Sequence, residues 1–145
     1  MYHYTESGLQ NVWLRNGVIV RDTPYGESVA IQNVAGLHKV IGLFLATNKQ
    51  SLTGSEVRFL RKELDLSQAH LARILGVGET SVRGWENRRT RITAPADRLL
   101  RVLYREYACG EGRVKELVDR ISDLDRGMQE RLEFEADGEN WKTAA

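Results

Sequence analysis

Arg83, Arg88, Arg89 and Arg91 crowd one short stretch of this chain, with Glu79, Thr80 and Asn87 among them. A guanidinium donates paired hydrogen bonds to a phosphate or to a purine edge. A threonine hydroxyl donates or accepts, and a carboxylate accepts from an amine. The groups that acid–base or metal chemistry needs are scattered instead. His3, His38 and His70 share no metal-ligand spacing, and Cys109 stands alone, which excludes an intramolecular disulfide and a multi-cysteine zinc site. Tyr2 to Glu6 is polar but has no base–nucleophile frame. Catalysis, a metal and a cofactor are not expected.

Net charge is only +1, but its distribution is uneven. Residues 1–50 balance to +1, residues 51–105 to +5 and residues 106–145 to −5. Screening makes local charge decisive, because exposed charges more than about 10 Å apart barely feel each other at moderate salt. The basic middle can therefore meet a polyanion although the total is near zero. The most apolar run, Val40 to Ala46, is too short to span a bilayer, and "MYHYTESG" lacks the layout of a secretion signal. A cytoplasmic protein with no membrane partner is expected.

The basic cluster must be held by helices. Thr53 with Glu56 three residues on fits a capping box, opening a helix with Val57, Leu60 and Leu64 inward. Ser67 can cap a second helix, with Leu71, Ala72 and Leu75 inward, and Gly76 can end it in a left-handed conformation. Gly78 can cap a third helix, anchored by Val82 and Trp85. Successive helix residues turn by about 100°, so Thr80, Arg83, Gly84 and Asn87 share the outward face, flanked by Glu79 and Arg88. Gly84 is odd there, since glycine costs a helix interior about 1 kcal/mol relative to alanine. A fourth helix begins after Thr93 with Pro95 in its first turn, and has an apolar side of Leu99, Leu100, Val102, Leu103 and Tyr107.

Two helices joined by Gly76 to Gly78 make a helix-turn-helix pattern. Leu66, Ser67, Gln68, Leu71, Ala72, Leu75, Gly76, Val77, Val82, Trp85 and Glu86 fall in a frame that resembles the Cro/C1-type, XRE-like helix-turn-helix family. Leu60 to Arg101 is further similar to the DNA-binding half of MqsA-type antitoxins and regulators. Their zinc domain is not implied, because the first segment has no cysteine. The resemblance implies a third helix laid into the major groove of double-stranded DNA. Glu79, Thr80, Arg83 and Gly84 are then the base-reading candidates, with Arg83 best placed for a guanine. Ser67, Gln68, Arg73, Asn87, Arg88, Arg89 and Arg91 are the candidates for the DNA backbone. Trp85 is expected in the core, Glu86 as partner of an arginine or a backbone amide, and Arg98, Arg101 and Arg105 as a solvated face.

The flanks are less specific. Asn11 to Leu14, Asn16-Gly17, Val18 to Thr23 and Ser28 to Ile31 read as a small β-meander with a hairpin at Asn16-Gly17. Val34, Leu37, Val40, Ile41, Phe44 and Leu45 follow as one helical face. Val114, Leu117, Val118, Ile121, Leu124 and Met128 give an amphipathic helix. Beyond Leu132 an acidic, frayed tail is expected, with Trp141 as the residue that could be pinned to something. The expected class is α+β, mostly α. The division is an N-terminal segment 1–50 for dimerisation or partner binding, a DNA-binding domain 51–108, and a helix with acidic tail 109–145. The expected function is a sequence-specific transcriptional regulator, a homodimeric repressor on a palindromic operator. The alternative is an antitoxin that binds a toxin-like partner and regulates its own operon.

Overall fold

Antiparallel strand pairs and helices alternate with short turns in the computed structural model, which describes residues 1–124 and 131–144. The order is β1 (Tyr2–His3), β2 (Trp13–Leu14), β3 (Val18–Thr23), β4 (Gly26–Ile31), α1 (Val34–Asn48), α2 (Gly54–Glu63), α3 (Gln68–Leu75), α4 (Glu79–Glu86), α5 (Ala94–Cys109), α6 (Arg113–Ser122), β5 (Phe134–Asp137) and β6 (Asn140–Thr143). The class is α+β, mostly α.

The helix starts and stops follow local chemistry. Thr53 and Glu56 form the expected reciprocal capping box: the Glu56 amide donates to Thr53 Oγ1 at 3.3 Å and the Thr53 amide to Glu56 Oε1 at 2.9 Å. Ser67 Oγ accepts from the His70 amide at 3.0 Å. Gly76 adopts φ 71°, which glycine enters without a Cβ penalty, and so turns the chain from α3 towards α4.

The core gathers Val57 and Leu60 of α2, Leu71 of α3, Val82 of α4, and Leu100 and Leu103 of α5, all fully buried. Burying each such side chain is worth about 1.5–3 kcal/mol. Ile74 is also buried, while Leu75 is only half-buried. α1 joins this core through Leu45 and through Gly42, where an added Cβ would overlap the Tyr104 ring. Desolvation of that ring pushes the Tyr104 phenol up to about 12. The N-terminal strands are tied in by a relay. Tyr4 Oη lies 2.7 Å from His38 Nε2, and His38 Nδ1 lies 2.7 Å from Glu63 Oε1. α6 lies against α3, with His70 Nε2 2.8 Å from Asp119 Oδ1 and Ser122 Oγ donating to the Arg73 carbonyl at 3.1 Å. Partial burial pushes the Asp119 carboxyl up, but hydrogen bonds from His70 and Lys115 outweigh it and leave the group below its ordinary value.

The flanks differ from the sequence expectation in several places. Among the described residues the strands form two-stranded pairs rather than the expected three-stranded meander. β2 pairs with β1, Tyr2 opposite Leu14, while β3 pairs with β4. The hairpin turn falls at Pro24-Tyr25, braced by Thr23 Oγ1 donating to the Gly26 carbonyl at 2.6 Å. Asn16-Gly17 redirects the chain into β3 instead, and the Gly17 carbonyl accepts from the Gln32 amide at 2.8 Å. On α1 the inward positions are Gly42 and Leu45, while Val34, Val40 and Phe44 are exposed. The apolar stripe was too wide for one contact, and the glycine decided which side could approach α5. On α5, Ala96, Asp97 and Tyr104 point inward, and Val102 and Tyr107 do not. A hairpin, β5–β6, replaces the expected fraying, and Trp141 on it is exposed rather than pinned. On α6, Val114 and Val118 pack on the core while Leu117 and Ile121 stay exposed. Met128, expected on the same helix, lies outside the described residues.

Candidate nucleic-acid interface

α3 and α4 are positioned by what stands behind them. Val82 and Trp85 anchor α4 to the core. At its far end Glu86 is gripped by Arg61 of α2: Nε to Oε2 at 2.8 Å and Nη2 to Oε1 at 2.9 Å. The same guanidinium donates through Nη1 to the Leu66 carbonyl at 2.9 Å, just before α3. One side chain thus sets the end of α4 and the start of α3 together. Glu86 was expected to partner an arginine or a backbone amide; the partner is Arg61, which the sequence did not single out, in the last turn of α2 after the buried Phe59 and Leu60.

α4 ends in a Schellman-type turn. Arg88 has φ 62°, its amide donates to the Trp85 carbonyl at 3.1 Å, and the Arg89 amide donates to the Gly84 carbonyl at 2.9 Å. A left-handed conformation at a non-glycine residue is uncommon, and here it swings Arg89 and Thr90 back along the helix. A Cβ on Gly84 would meet Thr90 Oγ1 at 3.2 Å. The glycine therefore sits beneath the returning chain and is half-buried, where a fully outward position was expected.

The base-reading candidates Glu79, Thr80 and Arg83 are exposed on the first turns of α4. Arg83 Nη2 donates to Glu79 Oε1 at 3.0 Å, so in the free protein these two satisfy each other. Both side chains are about half exposed, and such a surface pair is worth about 0.5 kcal/mol, a weak tether that a base edge can replace.

The backbone candidates divide into two groups. Asn87, Arg89 and Arg91 are exposed, and none forms an ion pair among the described residues. The others have intramolecular partners. Ser67 Oγ serves as the α3 cap, and Gln68 Nε2 donates to Glu86 Oε1 at 3.3 Å. Arg73 Nη1 sits 3.6 Å from Asp123 Oδ1 beside α6, and Arg88 Nη2 donates to Ser55 Oγ at 3.1 Å. Of the arginines expected on a solvated face, Arg98 and Arg105 are exposed. Arg101 instead is held by Asp97, Nε to Oδ1 at 2.6 Å, and also donates to the Lys49 carbonyl. Asp97 in turn accepts from the Leu52 amide at 2.8 Å, so this pair fixes the chain entering α2.

Two short helices at a tight glycine turn, the second projecting a polar, arginine-bearing face, form a helix-turn-helix. Residues 57–96 match a family model described as Helix-turn-helix. The match supports a DNA-binding regulator of the Cro/C1, XRE-like type. No curated protein and no solved structure matches the chain significantly. Among the described residues no helix is long and apolar enough to cross a membrane.

Proposed function

We propose that this protein is a sequence-specific transcriptional regulator that lays α4 into the major groove of double-stranded DNA and represses from a palindromic operator as a homodimer. The observation that carries the reading is the exposed outward side of α4. Glu79, Thr80 and Arg83 stand clear there while Val82, Trp85 and Glu86 are locked behind them. Thr80 and Arg83 meet base edges, and Glu79 accepts from a cytosine amine. Asn87, Arg89 and Arg91 meet phosphates beyond the helix end, with Ser67, Gln68, Arg73 and Arg88 as further backbone contacts.

One such helix reads too few base pairs for selectivity, and two related by a two-fold reach half-sites about 10 bp apart or a multiple of that. Apolar surface for a second copy is available on both flanks: Val40 and Phe44 of α1, and Leu117 and Ile121 of α6, are exposed. Light scattering at micromolar concentration tests the dimer, and a monomeric mass with and without DNA overturns it. Duplex titrations in rising salt test the interface, and no binding even at 50 mM salt overturns it.

A second reading is an antitoxin-like protein whose flanks hold a partner protein. It is supported by the bare hairpin β5–β6, which opposes Ala136 to Trp141 and leaves Phe134 and Trp141 exposed. A stable stoichiometric complex with the product of an adjacent gene decides for it, and a chain that purifies alone from its native operon decides against it.

A further inference from the structure

Behind the C-terminal end of α4 lies a concave cleft of about 850 Å³. The first residues of α2 and α5 and the loop from Arg88 to Ile92 wall it, and Leu52, Trp85 and Ile92 give it an apolar floor. Arg88, Arg89, Arg91 and Arg98 line it, and none forms an ion pair among the described residues. A fifth arginine there, Arg101, is neutralised by Asp97. The α5 start adds a partial positive charge. Thr93 makes no side-chain cap, and Pro95 follows in the first turn, so the first amides of α5 lack a side-chain acceptor.

We infer that this cleft binds a small phosphorylated ligand of nucleotide size, a nucleoside di- or triphosphate. Its phosphates meet the α5 N-terminus and the four guanidiniums that have no ion pair among the described residues, displacing the Ser55 hydroxyl from Arg88, and its ring rests on the apolar floor. Guanidiniums favour phosphate because their planar forks donate in pairs. A DNA backbone supplies phosphates to the rim but nothing that fills the floor, whereas a ring-bearing ligand satisfies both. The cleft is also of the size that encloses small ligands. The inference rests on the proposed DNA reading in one respect. Arg88, Arg89 and Arg91 are the side chains assigned to the DNA backbone, so ligand and duplex exclude one another and the ligand acts as an inducer.

The test is calorimetry on the full chain with ATP, GTP and inorganic pyrophosphate at constant ionic strength, repeated on Arg98→Ala. Arg98 is exposed and outside the proposed DNA contacts. The expected result is one saturable site per chain, with a nucleotide tighter than pyrophosphate by at least about tenfold and weakened by about tenfold or more in Arg98→Ala. Duplex affinity of that variant stays nearly unchanged, and the nucleotide displaces duplex more strongly than sulfate does at the same ionic strength. No saturable binding, equal affinity in Arg98→Ala, or displacement matched by sulfate overturns the inference. Duplex binding without nucleotide binding leaves the DNA reading standing and removes the ligand. Nucleotide binding without duplex binding keeps the site and removes the DNA reading.

Discussion

Arg61 holds Glu86 by two parallel hydrogen bonds of 2.8 and 2.9 Å, linking α2 to the last residue of α4. Both side chains are nearly buried, 11% and 4% exposed, so neither charge can be left alone cheaply. Removing one partner of such a pair costs about 3–5 kcal/mol, because the other stays buried and uncompensated. Glu86→Ala should therefore destabilise the fold by about 3 kcal/mol in urea unfolding. The double variant Arg61→Met, Glu86→Leu should recover most of that. A loss below about 1 kcal/mol for the single variant would mean that the pair behaves as a solvated one and does not position α4.

Gly54, at the start of α2, lies against the end of α4. A Cβ there would overlap the Trp85 carbonyl oxygen, and backbone cannot swing aside as a side chain can. Gly54→Ala should cost about 1–3 kcal/mol by overpacking, despite the better helix propensity of alanine. A stability equal to or above that of the parent would show that the two helices separate freely.

Gly84 behaves differently. Its added methyl meets only Thr90 Oγ1, at 3.2 Å, and the threonine can shift by a few tenths of an ångström. The helix gain of about 1 kcal/mol should then survive in part. Gly84→Ala should raise the melting temperature by a few degrees, about 4 °C per kcal/mol or somewhat less at this size, with operator affinity unchanged. A large loss of operator affinity at higher stability would show instead that the bare backbone approaches the groove.

Arg89 follows the left-handed Arg88 and is exposed with no ion-pair partner among the described residues. As a phosphate contact it should add affinity without sequence preference. Arg89→Ala should weaken binding to all duplexes alike and shallow the logarithmic salt dependence by about one unit. An unaltered slope would place Arg89 away from phosphate.

The middle of this fold was legible because its signals are local and stack on one another. Thr53 and Glu56 form their box, Gly76 and Gly78 bound the turn, and Val82 and Trp85 face inward as their spacing requires. The first segment was not, because strand pairing is a non-local choice. Asn16-Gly17 has the composition of a hairpin turn, yet β2 pairs with β1, ten to twelve residues back, and leaves β3 to pair with β4. The apolar stripes of α1 and α5 pointed to helices correctly, but the buried side depended on Gly42 meeting Tyr104, a contact between distant residues. At the site, exposure of Glu79, Thr80 and Arg83 followed from the 100° turn per residue. The Glu79–Arg83 pair and the fold-back of Thr90 over Gly84 did not, because side-chain geometry and a left-handed arginine are not written in spacing.

The proposed function requires that α4 read base edges, with Arg83 as its main reader. Selection of duplexes from a random pool, followed by sequencing, tests it most directly when run in parallel on the parent chain and on Arg83→Ala. The parent should enrich a two-fold symmetric motif. Arg83→Ala should lose preference at one position in each half-site, a change of about 1–3 kcal/mol in discrimination there. No enriched motif from the parent, or the same motif at the same strength from Arg83→Ala, would contradict it.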